Sequence, residues 1–215
     1  MTSAVRQYEK AEKGQALLSA PGDHFAYWLS QFSSPFVVGL TVFGYVALST
    51  ASSMIEGFAW FAVVVVGLGA PFGVVWWGVR KKKWTDLHVS RRSQRLVPLL
   101  FGLAGLVGML ASLLLLSASR QLVATLVAVI VSFAVATLMT QFARFKISLH
   151  VDSAAGTVAV FCLLASPMFL ALAPLVILIA WARWRLEAHT PLQLLAGAVL
   201  GAIAPVATFW LFGLH

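Results

Sequence analysis

The stretch Val97–Gln141 has the sequence VPLLFGLAGLVGMLASLLLLSASRQLVATLVAVIVSFAVATLMTQ and contains one charged residue, Arg120. Two apolar runs, Val97–Leu116 and Leu122–Gln141, lie on either side of the polar segment Ser117–Gln121. A helix of about 20 apolar residues is long enough to cross the hydrocarbon core of a bilayer. The stretch therefore predicts two membrane-spanning helices joined by a tight turn, and this pair sets the fold class of the chain.

The composition of the whole chain agrees with this helical pair. Of its 215 residues, 60% are hydrophobic and only 10% are charged, and the mean hydropathy is +0.92. Soluble domains carry roughly 25% charged residues, so a soluble fold of this chain could not hide its apolar surface. The composition therefore excludes an ordinary soluble domain and indicates an integral membrane protein.

Further apolar runs are spaced along the rest of the chain. Together with the two above, they make seven: Pro35–Ser49, Gly57–Val79, Val97–Leu116, Leu122–Gln141, Ala154–Ser166, Phe169–Trp181 and Leu192–Leu214. The pattern predicts an all-α, polytopic membrane helix bundle with six or seven transmembrane helices. Pro167 and Pro174 interrupt the fifth and sixth runs, so we expect these two to be tilted, kinked or partly re-entrant, with six as the alternative count.

The chain divides into a lead-in and one membrane domain. Residues 1–34 mix charged and apolar positions, and we expect a cytosolic or interfacial N-terminal segment that is partly helical. Its His24–Phe32 stretch, HFAYWLSQF, is typical of an aromatic belt at the headgroup level. Residues 35–215 are expected to form a single transmembrane helical domain.

The distribution of positive charge predicts the orientation. Fourteen of the fifteen Lys and Arg residues fall in the N-terminal segment and in alternate loops, on one side of the membrane, whereas Arg120 falls on the other. Cytoplasmic loops are enriched in Lys and Arg. We therefore expect a multi-pass cell-membrane protein whose N-terminus and basic loops are cytoplasmic. The net charge of +8 then indicates anionic membrane lipids as partners, not nucleic acid; the sequence does not indicate a homo-oligomer.

Several glycines recur at short helical spacing. They are Gly102, Gly105 and Gly108 in one run, and Gly197 and Gly201 in a G-x-x-x-G frame in another. Small residues at this spacing allow membrane helices to approach closely. No strand precedes them and no Lys follows, so they predict helix packing and not a phosphate-binding loop.

Polar residues concentrate in three of the basic loops. The second loop has Asp86, His88, Arg91, Arg92 and Arg95; the fourth has Arg144, Lys146, Ser148, His150 and Asp152; the sixth has Arg183, Arg185, Glu187 and His189. An even number of spans separates these loops, so they can converge at one face. Arginines beside two histidines suit a phosphate ester, because guanidinium groups bind phosphate oxygens and histidine serves as nucleophile or acid. A zinc site is the weaker interpretation, since the arginines would repel the cation.

The order and spacing of these residues resemble the type 2 phosphatidic acid phosphatases, with the motifs K-x6-R-P, P-S-G-H and S-R-x5-H-x3-D. Ser148 and His150 match the second motif, and Arg183 followed by five residues and His189 matches the core of the third. In the first, His88 stands at the family's Lys, Arg95 at its Arg and Leu96 at its Pro. The resemblance covers Asp86 to Gly201, a little over half of the chain.

The resemblance implies a fold and a set of roles. The membrane bundle would have a core like that of these phosphatases, with His189 as the nucleophile that forms a phosphohistidine and His150 as the general acid. Arg95, Arg183, Ser148 and His88 would bind phosphate, with no metal and no cofactor. The residues themselves agree at one point: Thr190, Pro191 and Gln193 form a helix-start signature, so His189 lies just before a helix N-terminus, which favours anions.

The chain departs from the family pattern at several positions. Gln193 stands where the family has the Asp that orients its nucleophile. Two alternatives follow: either Glu187, Asp152 or Asp86 substitutes for that Asp, or the activity is reduced or lost. Gln193 can equally be a helix cap, His88 a loop histidine, and Arg183 and Arg185 interfacial anchors. Many family members act on the outer face, whereas charge here places the site inside.

Three functions follow in order of preference. The first is a membrane lipid phosphatase that hydrolyses a lipid phosphate or prenyl diphosphate, such as phosphatidate, at the cytoplasmic leaflet. The second is a catalytically impaired relative that binds lipid or acts as a scaffold. The third is a magnesium-dependent prenyltransferase, which the sequence favours least because its three Asp residues, Asp23, Asp86 and Asp152, lie far apart.

Overall fold

Helices account for most of the protein in this computed structural model, which describes residues 21–81 and 96–214. No strand occurs within these two ranges. The helices are α1 Pro21–Phe32, α2 Pro35–Thr50, α3 Met54–Arg80, α4 Leu96–Leu115, α5 Arg120–Gln141, α6 Leu149–Leu164, a 3₁₀ helix Pro167–Leu172, α7 Ala173–Arg185 and α8 Pro191–Leu211.

Several of these helices are long and apolar enough to cross a membrane. By length and composition, α3, α5, the segment Pro167–Arg185 and α8 meet this condition, which gives four. The bent pair Gly22–Phe32 and Pro35–Thr50, at 46°, raises the number to five if it forms one span, and Leu99–Leu115 and α6 are apolar but shorter. The class of helical membrane protein is therefore confirmed, and all seven apolar runs coincide with helical segments.

Polar side chains define where the helices begin. Ser34 Oγ accepts from Val37 N at 3.4 Å, and Ser53 Oγ accepts from Glu56 N at 3.2 Å. Such caps satisfy backbone N–H groups that have no partner inside the helix. The tight turn predicted at Ser117–Gln121 is confirmed, since α4 ends at Leu115 and α5 begins at Arg120.

The two prolines of the fifth and sixth runs lie at helix starts. Pro167 opens the 3₁₀ helix after Ser166, whose hydroxyl accepts from Met168 N at 3.2 Å, and Pro174 is in the first turn of α7. Proline is tolerated there because its missing N–H would have had no helical partner. The break between these runs is thus a change of helix and not a kink within one.

The most extensive helix contact joins α6 and α8 and depends on glycine. A Cβ placed on Gly197 would lie 2.6 Å from the carbonyl oxygen of Ser148, and one on Gly201 would overlap the backbone of Asp152. Gly156 on α6 lies opposite, where its Cβ would be 3.3 Å from the Gly201 carbonyl oxygen. The close approach predicted for Gly197 and Gly201 is confirmed. Gly108, in contrast, faces open space.

Replacing Gly201 by alanine tests this contact. We expect Gly201→Ala to lower the free energy of unfolding by about 1 to 3 kcal/mol, because backbone atoms of Asp152 must move to admit the methyl group. Gly108→Ala is the matched control and is expected to be neutral or to stabilise by up to about 1 kcal/mol through helix propensity. Denaturation of both variants in detergent measures the difference; equal stability would contradict the packing described here.

Candidate active site

The fourth and sixth loops meet at one end of the bundle. Ser148 N donates to the carbonyl of Gln193 at 3.3 Å, and Lys146 Nζ donates to the carbonyl of Ala188 at 3.4 Å. The predicted convergence is confirmed for these two loops. The second loop, with Asp86, His88 and Arg95, lies outside the described residues.

His189 is the central side chain of this meeting point. It is only 8% exposed, and its Nδ1 lies 3.3 Å from the carbonyl oxygen of Lys146. When Nδ1 carries the proton it donates to this carbonyl, and Nε2 keeps a free lone pair. The backbone of the fourth loop can therefore orient the ring.

Electrostatics keep His189 neutral. Burial, together with the positive charges of Lys146 and Arg183, lowers its pKa from the ordinary value of 6.5 to about 4. Each factor disfavours the protonated ring. At neutral pH the ring is uncharged, which is the form that a nucleophile requires.

The start of α8 follows the predicted capping pattern. Thr190 Oγ1 accepts from Gln193 N at 3.4 Å, and Gln193 Oε1 accepts from Thr190 N at 3.2 Å. This reciprocal pair is a capping box. Gln193 also hydrogen-bonds His189. The cap interpretation of Gln193 is confirmed, and the residue lies close enough to help place the ring.

The two arginines at the end of α7 have different surroundings. Arg185 Nε forms an ion pair with Asp23 Oδ1 of α1 at 2.7 Å, which supports its interpretation as an anchor. Arg183 is half-buried, and its Nη1 donates to Ser30 Oγ of α1 at 2.5 Å, whereas its Nε has no hydrogen-bond partner among the described residues. Arg183 thus keeps donors that can bind an anion.

The second motif begins α6. Ser148 is fully buried at its N-cap, and within the described ranges its Oγ has no hydrogen-bond partner. His150 is half-buried in the first turn. Asp152 follows within the same turn and faces the hydroxyl of Ser132 on α5. A buried hydroxyl and a buried carboxyl with spare hydrogen-bonding capacity are expensive to maintain, which is typical of a ligand site.

A cavity of about 540 Å³ connects these residues to the interior of the bundle. Its polar end is formed by Lys146, His150, Asp152, Arg183 and His189. The remainder lies between apolar side chains of α2 to α6 and α8, among them Phe43, Leu106, Phe133 and Val160. A charged end followed by an apolar length matches a molecule with an anionic head and a hydrocarbon chain.

On the loop side, a second recess of about 470 Å³ adjoins the same histidine. Its lining includes Lys146, Trp184, Glu187, His189 and Gln193. Glu187 is exposed and has a φ of 50°. His189 therefore borders both the cavity and the recess.

Sequence reasoning missed two participants. Lys146 was noted only as a loop charge, yet its carbonyl contacts His189 and its side chain lines both cavities. Its position two residues before Ser148 was the available signal. Ser30, the partner of Arg183, carried no signal, because nothing in its sequence surroundings points to α7.

Comparison with known proteins gives no match: none among family models, none among curated proteins and none among solved structures. The likeness to the type 2 phosphatidic acid phosphatases therefore consists of the motif residues quoted above. Within residues 21–81 and 96–214, no three His, Cys, Asp or Glu side chains come together as a metal ion would require.

Replacing Lys146 tests the electrostatic environment of His189. We expect Lys146→Met to raise the pKa of His189 above about 4, because a neighbouring positive charge is removed, whereas Lys146→Arg should leave it near that value. Nuclear magnetic resonance titration of ring-labelled histidine in detergent measures both, with His189→Asn used to assign the signal. Identical titration of the two variants would contradict this role of the Lys146 charge.

The sign of the effect on stability follows from the same pKa. Because the folded-state value of about 4 lies below the ordinary 6.5, the unfolded chain takes up this proton first as the pH falls. The stabilisation of the fold by neutral His189 is therefore fully present above pH 6.5. It is lost progressively as the pH falls from 6.5 to about 4.

Proposed function

We propose that the protein is a membrane lipid phosphatase that works without a metal ion and forms a phosphohistidine. The observation that carries this proposal is the position of His189: a neutral, buried ring beside Lys146 and Arg183, at the polar end of a long apolar cavity. Lipid phosphates and prenyl diphosphates combine the anionic group and the hydrocarbon chain that this arrangement would accept.

The reaction proceeds in two displacements. In the first, the Nε2 lone pair of His189 forms a bond to phosphorus while the bond from phosphorus to the lipid oxygen breaks, and His150 gives its proton to that oxygen. In the second, water attacks phosphorus, His150 takes its proton, and the phosphorus–nitrogen bond breaks. Inorganic phosphate leaves and both histidines return to their starting states.

The positive groups bind the phosphate oxygens through both steps. Arg183 offers N–H donors, and the start of α8 offers a favourable dipole. Arg95, His88 and Ser148, whose hydroxyl is fully buried outside the cavity lining, stay as sequence predictions for the remaining contacts. Preorganised donors in a site shielded from water stabilise the charge that develops in the transition state.

Exchange of the nucleophile tests the reaction. His189→Ala is expected to lower phosphate release from phosphatidate or a prenyl diphosphate by at least about 10³-fold with EDTA present, since the covalent step is lost. His24→Ala is the matched control, because His24 is exposed on α1. Labelled substrate should leave acid-labile phosphate on the wild-type protein alone.

Unchanged turnover in His189→Ala would refute the mechanism. Loss of turnover with EDTA, restored by magnesium, would favour the prenyltransferase or another metal-dependent reaction instead. Turnover by the wild type on one substrate only would define the headgroup that the site accepts.

The proposal includes a seven-span bundle with the site at the cytoplasmic leaflet. Fourteen of the fifteen Lys and Arg residues support this orientation. The shorter helices α4 and α6 would then complete the spans, and the core would have the arrangement of the type 2 phosphatidic acid phosphatases. The N-terminus would be cytoplasmic, and substrate would enter from the inner leaflet.

Labelling of single cysteines tests this orientation. In a Cys162→Ser background, Glu187→Cys beside the site should react with a membrane-impermeant maleimide only after cells are opened. Ser117→Cys, at the other end of the bundle and exposed, should react in intact cells. The reverse pattern would place the site outside.

A lipid-binding protein without turnover is the second candidate. The backbone N and the side-chain Oε1 of Gln193 take part in the capping box, and a neutral amide stands where the phosphatases that the motifs resemble have a carboxylate. This observation favours reduced catalysis with an intact anion site. Binding of a lipid phosphate without any release of phosphate would support this candidate over the phosphatase.

A further inference from the structure

A carboxyl group lies deeper in the cavity than the phosphate site. Asp152 packs its backbone against Gly201, whereas Ser148 hydrogen-bonds Gln193. Asp152 is four residues beyond Ser148 on α6, which corresponds to about 6 Å along the helix. Asp152 therefore stands about one helical turn further into the bundle than Ser148.

The side chain of Asp152 is aimed into the cavity. It is only 8% exposed, it belongs to the cavity lining, and it faces Ser132 on the opposite helix α5. Its Oδ1 has no hydrogen-bond partner in the described part of the chain. The contacts of His189 run to Lys146 and Gln193, so its ring is oriented without Asp152.

A carboxyl group inside a membrane bundle is costly unless something binds it. Most of the cavity lining is apolar, and Ser132 provides one donor for a group with two oxygens. If the carboxyl group is ionised, the spare oxygen can only accept hydrogen bonds. If the group is protonated, it can also donate one. The partner that suits it carries a hydroxyl or N–H group between its phosphate and its hydrocarbon chain.

Resting on the proposed function, we infer that Asp152 recognises a hydrogen-bond donor in the backbone of the substrate, and that the substrates are lipid phosphates with a free hydroxyl or N–H group next to the chain. Lysophosphatidate and sphingoid lipid phosphates have such groups, whereas diacyl phosphatidate, with both of its remaining glycerol hydroxyls esterified, does not. Prenyl phosphates and diphosphates do not, since their chains are hydrocarbon up to the phosphate oxygen. Asp152 and Ser132 thus form a specificity site below the phosphate site.

The test compares two substrates that differ by one hydroxyl. Lysophosphatidate has a free hydroxyl on its second carbon, and the 2-deoxy analogue of the same chain length lacks it. Wild-type kcat/KM is expected to favour lysophosphatidate by at least about tenfold, because the analogue leaves the buried carboxyl unpaired. Asp152→Ala should reduce this ratio to about twofold or less, because the hydroxyl of lysophosphatidate then has no carboxyl group to bind.

Two further variants control for folding. Ser132→Ala should lower the ratio in part, since Ser132 holds the carboxyl in place. Glu56→Ala removes a carboxylate at the other end of the bundle, where it accepts from Ser52 N at 2.7 Å, and should leave the ratio unchanged. Equal wild-type rates on the two substrates would overturn the inference, and this result needs no variant to fold.

Binding separates this inference from the phosphatase proposal. Non-hydrolysable phosphonates of the same two lipids are titrated against the wild type and Asp152→Ala. Preference for the hydroxyl-bearing phosphonate without turnover of any lipid would support the specificity site and refute the phosphatase. Turnover of both lipids at equal rates would support the phosphatase and refute the specificity site. Absence of both binding and turnover would refute the two proposals together.

Discussion

The close contact between α6 and α8 is the constraint on which the candidate site depends. Gly197 and Gly201 bring the backbones of these helices together without an intervening side chain. This approach allows Ser148 to hydrogen-bond the backbone of Gln193, and it brings the loop before α6 against the loop before α8. The contact between His189 and Lys146 is therefore a consequence of helix packing. A side chain at either glycine would separate the two loops that form the candidate site.

The membrane environment explains why the polar groups of the site are so informative. An apolar bundle gains nothing in stability from a buried hydroxyl or carboxyl, and each such group must find a partner or bind a ligand. Ser148, Asp152 and Arg183 each retain an atom without a hydrogen-bond partner in the described ranges. Asp152 and Arg183 line one cavity whose far end is hydrocarbon-like, whereas Ser148 is fully buried outside its lining. The arrangement is consistent with an amphiphile that places its charge near the loops and its chain among the helices.

Much of the architecture could be predicted from local sequence. The apolar runs, the turn at Ser117–Gln121, the capping box at Thr190 and the glycine contact all depend on residues close together in the chain or on one helix face. The contact of His189 with a backbone carbonyl could not be predicted, because any residue type provides a carbonyl. Nor could the pairing of Arg183 with Ser30, which joins α7 to α1 across most of the sequence. The depth of Asp152 likewise depends on how α6 slides along α8, which no local pattern specifies.

The bond from Ser30 to Arg183 also selects which edge of the guanidinium group is left for a ligand. A guanidinium group has an end edge formed by Nη1 and Nη2 and a side edge formed by Nε and Nη2, and each can bind two oxygens at once. Since Nη1 is held by Ser30 and Nε has no partner among the described residues, the side edge is the one that can bind two oxygens. An anion bound there must lie in the plane of the guanidinium group, next to Nε and Nη2. The first described helix of the chain thereby fixes the direction from which an anion can approach Arg183, although its own contact with this side chain is a single hydroxyl.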